Sequence, residues 1–204
     1  MKRRDRKLEM FLFVLLLLRF SIFIPHVFWI YIITTGITTY FAIKLVWPER
    51  ADFHIQVPSR YDLWIWGGAL GLVAAGTNIW IRWKFTGVAP VLDQGWYLQI
   101  VFLPIIQFFV AATAEEPLFR GLLWGYLKRL GRPDWLILVV QALLFFVGHA
   151  YYARPGLYSN WGSTLLMGFI FGIAAWKTRS ILPSMIAHAL VNGLTQSFTS
   201  SLKQ

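Results

Sequence analysis

Apolar residues fall in runs of spanning length separated by short polar segments. The first run is Met10 to Ile24 and the second Val27 to Trp47, with Pro25-His26 between them. A bilayer core of about 30 Å takes roughly 20 helical residues to cross. Met10 to Trp47 therefore forms either two spans or one kinked span. With two, the first is short, and Arg19 must snorkel or find a polar partner. A connection rich in Pro, Arg and Asp follows from Pro48 to Tyr61. The next run is Leu63 to Ile81, where Gly67, Gly68, Gly71 and Gly76 suit close helix contacts.

Gly87, Pro90, Asp93 and Gly95 mark Thr86 to Gly95 as a loop. From Trp96 the chain can be helical as far as Leu130, which at 1.5 Å per residue is about 50 Å. That exceeds the bilayer core, so the helix must break, tilt or protrude. Pro117, which lacks an amide donor and crowds the preceding turn, is the expected break. Three further runs, Trp135 to Tyr152, Trp161 to Trp176 and Ile181 to Phe198, complete the pattern. The fold expected is all-α: a polytopic membrane bundle of six to seven transmembrane helices. Residues 1–204 are expected to form a single integral membrane domain, with the motif-bearing core at 96–198.

Composition agrees. The chain is 57% hydrophobic against 14% charged, with mean hydropathy +0.58, more apolar surface than a water-soluble domain of this length could hide. Any active site must then lie within or at the edge of the bilayer. The absence of cysteine excludes disulfides, a thiol nucleophile and thiolate-bound zinc. A net charge of +10 could suggest nucleic acid. The basic residues, however, sit mainly at the ends of apolar runs, and no basic face interleaved with stacking aromatics is visible, so nucleic acid is not an expected partner.

Membrane orientation explains the charges better. The basic start Met1 to Lys7 precedes an apolar run with no small-residue cleavage pattern, which predicts a retained segment and a cytoplasmic N-terminus. Lys128 to Arg132 and Lys177 to Arg179 then also face the cytoplasm. Arg82 and Lys84 fall on the outside, against the rule. Trp47, Trp64, Trp83, Trp96, Trp135 and Trp161 lie near span ends, where an interfacial aromatic belt would put them. A compact chain of this kind suits a bacterial or archaeal plasma membrane. No feature specifies an oligomeric state.

The chemistry lies in the few polar residues inside the apolar runs. An ionised group at the bilayer centre costs roughly 2.5–3.5 kcal/mol on insertion scales, so such groups usually face an interior cavity. Glu116 and Arg120, four apart, share a helical face and can pair; Glu115, about 100° away, faces elsewhere. An ion-pair staple would explain these three residues equally well. His149 closes Phe145-Phe146-Val147-Gly148-His149, with Phe145 one turn earlier and able to pack beside the imidazole. Alone, such a histidine is more often an interfacial hydrogen-bonding residue than a catalyst. His188 and Asn192 project from one face and can both donate to one small object, or serve as polar glue between helices.

Jointly these elements are more specific. The pattern EExxxR at Glu115 to Arg120, FxxxH at Phe145 to His149 and HxxxN at His188 to Asn192 resembles the CAAX protease and bacteriocin-processing family, also called the Abi family. The resemblance covers Glu115 to Asn192. It implies a glutamate-type intramembrane endopeptidase acting on a membrane-associated or prenylated-like protein or peptide. The family's best-understood branch removes the last three residues of prenylated CAAX proteins. On this resemblance Glu115 activates water as general base, and His149 orients that water or shares its proton. His188 and Asn192 donate to the oxyanion, and Glu116 and Arg120 hold the site together. Neither cofactor nor metal is implied, and the partners are a protein or peptide substrate and the lipid bilayer.

Other readings fit the same residues. Two histidines and a glutamate can bind zinc and leave a position for water, although no His-Glu-x-x-His segment occurs. A serine protease lacks its Gly-x-Ser-x-Gly segment, and neither Ser163 nor Ser184 has a comparable partner set. Glutamate and histidine could also relay protons in a transporter, but no inverted halves are recognisable. A scaffold could keep the fold without the reaction.

Overall fold

The computed structural model describes residues 3–21, 28–87, 95–153 and 157–198. The break at Pro25-His26 and the loop markers Pro90 and Asp93 lie outside the described residues. Among the described residues seven helices follow one another: α1 (Arg3–Ser21), α2 (Phe28–Val46), α3 (Arg60–Thr86), α4 (Trp96–Arg129), α5 (Asp134–Val147), α6 (Tyr158–Thr178) and α7 (Ile181–Ser197). No strand occurs among the described residues. Met10 to Trp47 thus resolves into two helices, which pack against each other. By length and apolar composition α3 and α4 could each cross a membrane.

Local sequence explains the boundaries. The α3 start is a capping box: the Asp62 amide donates to Ser59 Oγ at 3.1 Å, and the Ser59 amide to Asp62 Oδ2 at 3.2 Å. It stops at Gly87, whose φ of 70° places it in the left-handed region that glycine enters freely. Ser180 caps α7, accepting from the Leu182 amide and donating to the Gln56 carbonyl at 2.7 Å. The Ile181 amide donates to the His54 carbonyl at 2.9 Å, so the connection before α3 is tied to the start of α7. That connection is itself packed: Phe53 is fully buried, and His54 lies against the Trp124 ring. Burial pushes the His54 imidazole down to about 4, which keeps it neutral.

The α4 helix runs unbroken through Pro117, contrary to the expected break. It widens instead, with π-helical segments at Phe108–Ala112 and Pro117–Leu123. Shifting the hydrogen-bond register absorbs the amide that proline lacks, and such bulges often mark functional sites.

Central to the bundle is α7, in contact with α3, α4 and α6. Two of the four α3 glycines make the expected close contact. A Cβ on Gly71 would come within 2.8 Å of the Ala187 Cα, and one on Gly67 within 3.2 Å of Ile186, whereas Gly76 faces open space and Gly68 meets only its own helix. On α1, Leu8, Leu12, Leu15 and Arg19 form one buried stripe, while Met10, Phe13 and Leu17 on the other faces are more than half exposed. Large apolar side chains also point outward from α4 at Val101, Phe102 and Phe109, as a lipid-facing surface requires.

Polar contacts set the α1 register. Glu9 accepts from the Tyr126 hydroxyl at 2.7 Å, and Arg129 pairs with Asp5 and Glu49. Asp5 beside Arg129 and Arg19 beside Glu115 make α1 and α4 antiparallel over about fourteen residues, roughly 21 Å. The catalytic candidates therefore lie toward the end of the bundle away from the Asp5–Arg129–Glu49 cluster.

Candidate active site

The adjacent α4 carboxylates each form an ion pair, Glu116 with Arg120 of the same helix and Glu115 with Arg19 of α1. In the inner pair Arg120 Nη1 donates to Glu116 Oε1 at 3.1 Å with both side chains fully buried, as the four-residue spacing predicts. Arg120 Nη2 also donates to the Gly168 carbonyl at 3.1 Å, an acceptor shared with the Gln141 amide. Its guanidinium lies 4.4 Å from the centre of the Phe145 ring, with Phe119 and Phe171 on other sides. Glu116 Oε1 accepts a second hydrogen bond, from His188 Nδ1 at 2.8 Å. Phe171 stacks on that imidazole at 4.9 Å. Glu116, Arg120 and the rings thus fix how His188 presents its Nε2.

The outer pair was not apparent from the motifs. Arg19, buried on α1, donates from Nη1 to Glu115 Oε1 at 3.2 Å and from Nη2 to His149 Nε2 at 2.8 Å. His149 stands just past the end of α5, and its Nδ1 lies 2.7 Å from the Phe145 carbonyl, which can only accept. That assigns the ring proton to Nδ1 and leaves Nε2 as the acceptor that Arg19 fills. Phe145 packs against the His149 ring at 4.4 Å, as its position one turn earlier predicts. The chain of contacts runs from the Phe145 carbonyl through His149 and Arg19 to Glu115.

One carboxylate oxygen is left over. Glu115 Oε2 is buried and makes no hydrogen bond, lying 3.5 Å from His149 Nε2 and 4.0 Å from His188 Nε2. Glu115, His149, His188, Asn192 and Phe145 all line one partly open cavity of about 300 Å³. Its remaining walls include Asn78 and Arg82 from α3, Gln107 from α4, Asn160 and Thr164 from α6, and Tyr151 and Tyr152. Asn192 Nδ2 donates to Gln107 Oε1 at 3.3 Å, and Gln107 Nε2 to Gln196 Oε1 at 3.1 Å. These weak neutral contacts leave the Asn192 amide able to turn toward a ligand.

Close approach of α7 to α4 holds Asn192 in place. A Cβ on Gly193 would overlap the backbone of Pro104, a rigid neighbour within α4. Gly193→Ala is expected to force the two helices apart, costing about 1–3 kcal/mol by overpacking. Gly76→Ala, which meets open space, should be neutral or slightly stabilising. Thermal unfolding of both variants in detergent checks the contrast, and equal melting would mean that Gly193 is not needed for this contact.

The sequence motifs named Glu115, Glu116, Arg120, Phe145, His149, His188 and Asn192, and all seven fall at or behind this cavity. They did not name Arg19, Gln107, Gln141 or Phe171. For Arg19 a signal existed, a lone cation inside an apolar run, but nothing local identified its partners.

Residues 97–194 match the model of a family described as type II CAAX prenyl endopeptidase Rce1-like. The match spans every motif residue but neither Arg19 nor Arg82. That family is membrane-embedded and of the CAAX-protease type, and the long apolar helices α3 and α4 accord with it. No curated protein and no solved structure matches the chain. The segment that carries the buried carboxylates and histidines is thus similar to the Rce1-like family, over 98 of the 204 residues.

Proposed function

We propose that the chain is a glutamate-type intramembrane endopeptidase in which Glu115 activates a water molecule held at its Oε2. The observation that carries this reading is the buried, unpartnered Oε2 facing two imidazole nitrogens across a cavity also lined by Asn192. Arg19 takes up the other oxygen, so one carboxylate has one anchored atom and one working atom. The water oxygen attacks the scissile carbonyl as its proton passes to Glu115 Oε2. The carbonyl becomes an oxyanion, and collapse of that adduct with proton return to the leaving nitrogen completes hydrolysis.

Asn192 Nδ2 and His188 are the donors for the oxyanion. Because His188 donates its Nδ1 proton in a hydrogen bond to Glu116, its role as an oxyanion donor requires a second proton on Nε2, with the Glu116 carboxylate as the counter-charge. Preorganised donors of this kind are worth ~10²–10³ in rate each. His149 acts one step further back in this arrangement, orienting Arg19 through its Nε2.

The zinc alternative meets an obstacle. A divalent ion bound by Glu115, His149 and His188 would displace Arg19 from His149 Nε2 and stand next to its guanidinium, a like-charge contact. We therefore expect full activity after exhaustive chelation. Activity lost to a chelator and restored by zinc would replace this mechanism with the metal one.

Spanning six or seven times with a cytoplasmic N-terminus completes the proposal, in a bacterial or archaeal plasma membrane. Its test is the membrane peptidome of cells carrying the native chain or Glu115→Ala. At least one substrate should accumulate uncut with the variant, and identical peptidomes would favour a scaffold.

A further inference from the structure

The two oxyanion donors are held in different ways. His188 is fixed by Glu116 Oε1 at 2.8 Å and by the stacked Phe171 ring. The Asn192 amide has one hydrogen-bond partner among the described residues, Gln107 Oε1 at 3.3 Å. Its Cα is pinned, because the next residue, Gly193, lies against the backbone of Pro104. Its amide plane is not, since the last torsion of an asparagine side chain has a broad profile with no sharp rotamer. A donor stabilises an oxyanion best when it is aimed before the charge develops, so the plane needs a second contact to fix it.

The shape of α4 brings Gln107 to that task. Gln107 and Glu115 are eight positions apart. In a regular α-helix that spacing would set them about 80° apart around the axis. The π-helical turn at Phe108–Ala112 takes up one extra residue and returns them to within about 20° of each other. Both accordingly line the same cavity. Gln107 Nε2 donates to Gln196 Oε1 at 3.1 Å, which leaves its own Oε1 for Asn192 Nδ2. An amide nitrogen carries two protons, and Gln107 takes one of them.

We propose that Gln107 is a positioning residue for the hydrolysis: by holding one Nδ2 proton of Asn192 it aims the other at the carbonyl oxygen of the bond under attack. This rests on the protease reading and gives Asn192 the counterpart of what Glu116 does for His188. Both supports come from α4, so the helix that carries the base also orients both donors. Mere polar packing between α4 and α7 predicts the opposite, lost stability with turnover unchanged.

The test uses the full chain in nanodiscs, with a synthetic peptide carrying a farnesylated cysteine and three further residues as the probe. Analogues in which each bond after the cysteine is replaced in turn by a phosphinate mimic the oxyanion, and their binding is measured apart from cleavage. Gln107→Met keeps much of the side chain's size and removes the acceptor. It should lower kcat about 5- to 10-fold, the worth of one neutral hydrogen bond, with KM nearly unchanged because the contact acts as charge develops. Preference for the best-bound phosphinate over the parent peptide should fall by the same factor. Gln196→Met, at an exposed site, should give a smaller loss of the same kind, and it decides the matter if Gln107→Met does not fold. Asn192→Ala should cost ~10²-fold or more, and adding Gln107→Met to it should cost nothing further, since the group through which Gln107 acts is gone. An unaltered kcat in Gln107→Met overturns the proposal and leaves the protease reading standing. An equal proportional loss with and without Asn192 overturns it as well. A phosphinate preference that depends on Gln107 and Asn192, without cleavage of any bond, would uphold the pairing as an oxyanion site and defeat the protease reading. Neither cleavage nor preference would defeat both.

Discussion

Glu115→Gln is expected to lower the rate of peptide cleavage by ~10³-fold or more while the protein still folds. The substitution keeps the size of the side chain and an oxygen that can accept from Arg19, but the amide cannot take a proton from water. General-base catalysis is worth about 10²–10⁴, so its removal should dominate all other single changes at the cavity. Melting in detergent should fall as well, since the buried Arg19 keeps an amide oxygen as acceptor but loses its charged partner. The matching change at Glu116 should cost more stability. Its carboxylate pairs with the fully buried Arg120 and holds His188 Nδ1, so Glu116→Gln strands a guanidinium among aromatic rings and lowers both activity and stability. Product release followed by mass spectrometry, beside thermal unfolding of the same samples, separates the two carboxylates. A Glu115→Gln protein retaining a tenth of native activity would exclude Glu115 as the base.

Why the two adjacent carboxylates differ could be read partly from spacing. Positions 116 and 120 share a helical face, so the spacing alone allows their pairing and turns Glu115 elsewhere. The one-turn relation of Phe145 to His149, and of His188 to Asn192, was legible for the same reason, since helical periodicity is local. What spacing could not supply was any contact between distant segments. Arg19 and Glu115 meet only because Asp5 and Glu9 fix α1 antiparallel to α4, a register set by contacts with Tyr126 and Arg129 more than a hundred positions away in the chain. The fate of Pro117 was hidden for another reason. A proline can break a helix or widen it, and burial of the whole Pro117–Leu123 segment favours the form that keeps its backbone hydrogen bonds inside the helix. Gly68 and Gly76 look like Gly67 and Gly71 in sequence, and only the position of α7 separates packing glycines from incidental ones.

Arg19→Met should destabilise the protein by about 3–5 kcal/mol, the cost of removing one member of a buried ion pair and leaving the other. Methionine fills much of the same space and fits an apolar environment, so the loss would come from charge and hydrogen bonding rather than a cavity. Glu115 would lose the cation 3.2 Å from its Oε1, and His149 Nε2 the donor 2.8 Å away. A double-mutant cycle makes the prediction specific. Adding Glu115→Gln to Arg19→Met removes the stranded charge, so the double variant should be more stable than Arg19→Met alone, although it carries one more substitution. Arg19→Lys should fall between native and Arg19→Met, because an ammonium keeps the charge but cannot span both Glu115 and His149 in the planar geometry of a guanidinium. Activity should follow another order. Arg19→Lys retains measurable cleavage, while Arg19→Met frees Glu115 Oε1 and lets the carboxylate turn away from the cavity. Unfolding of the four proteins in one detergent, with cleavage measured alongside, tests the whole scheme. Additive effects of Arg19→Met and Glu115→Gln would mean that α1 contributes no cation to the site, and the N-terminal helix would then be packing alone.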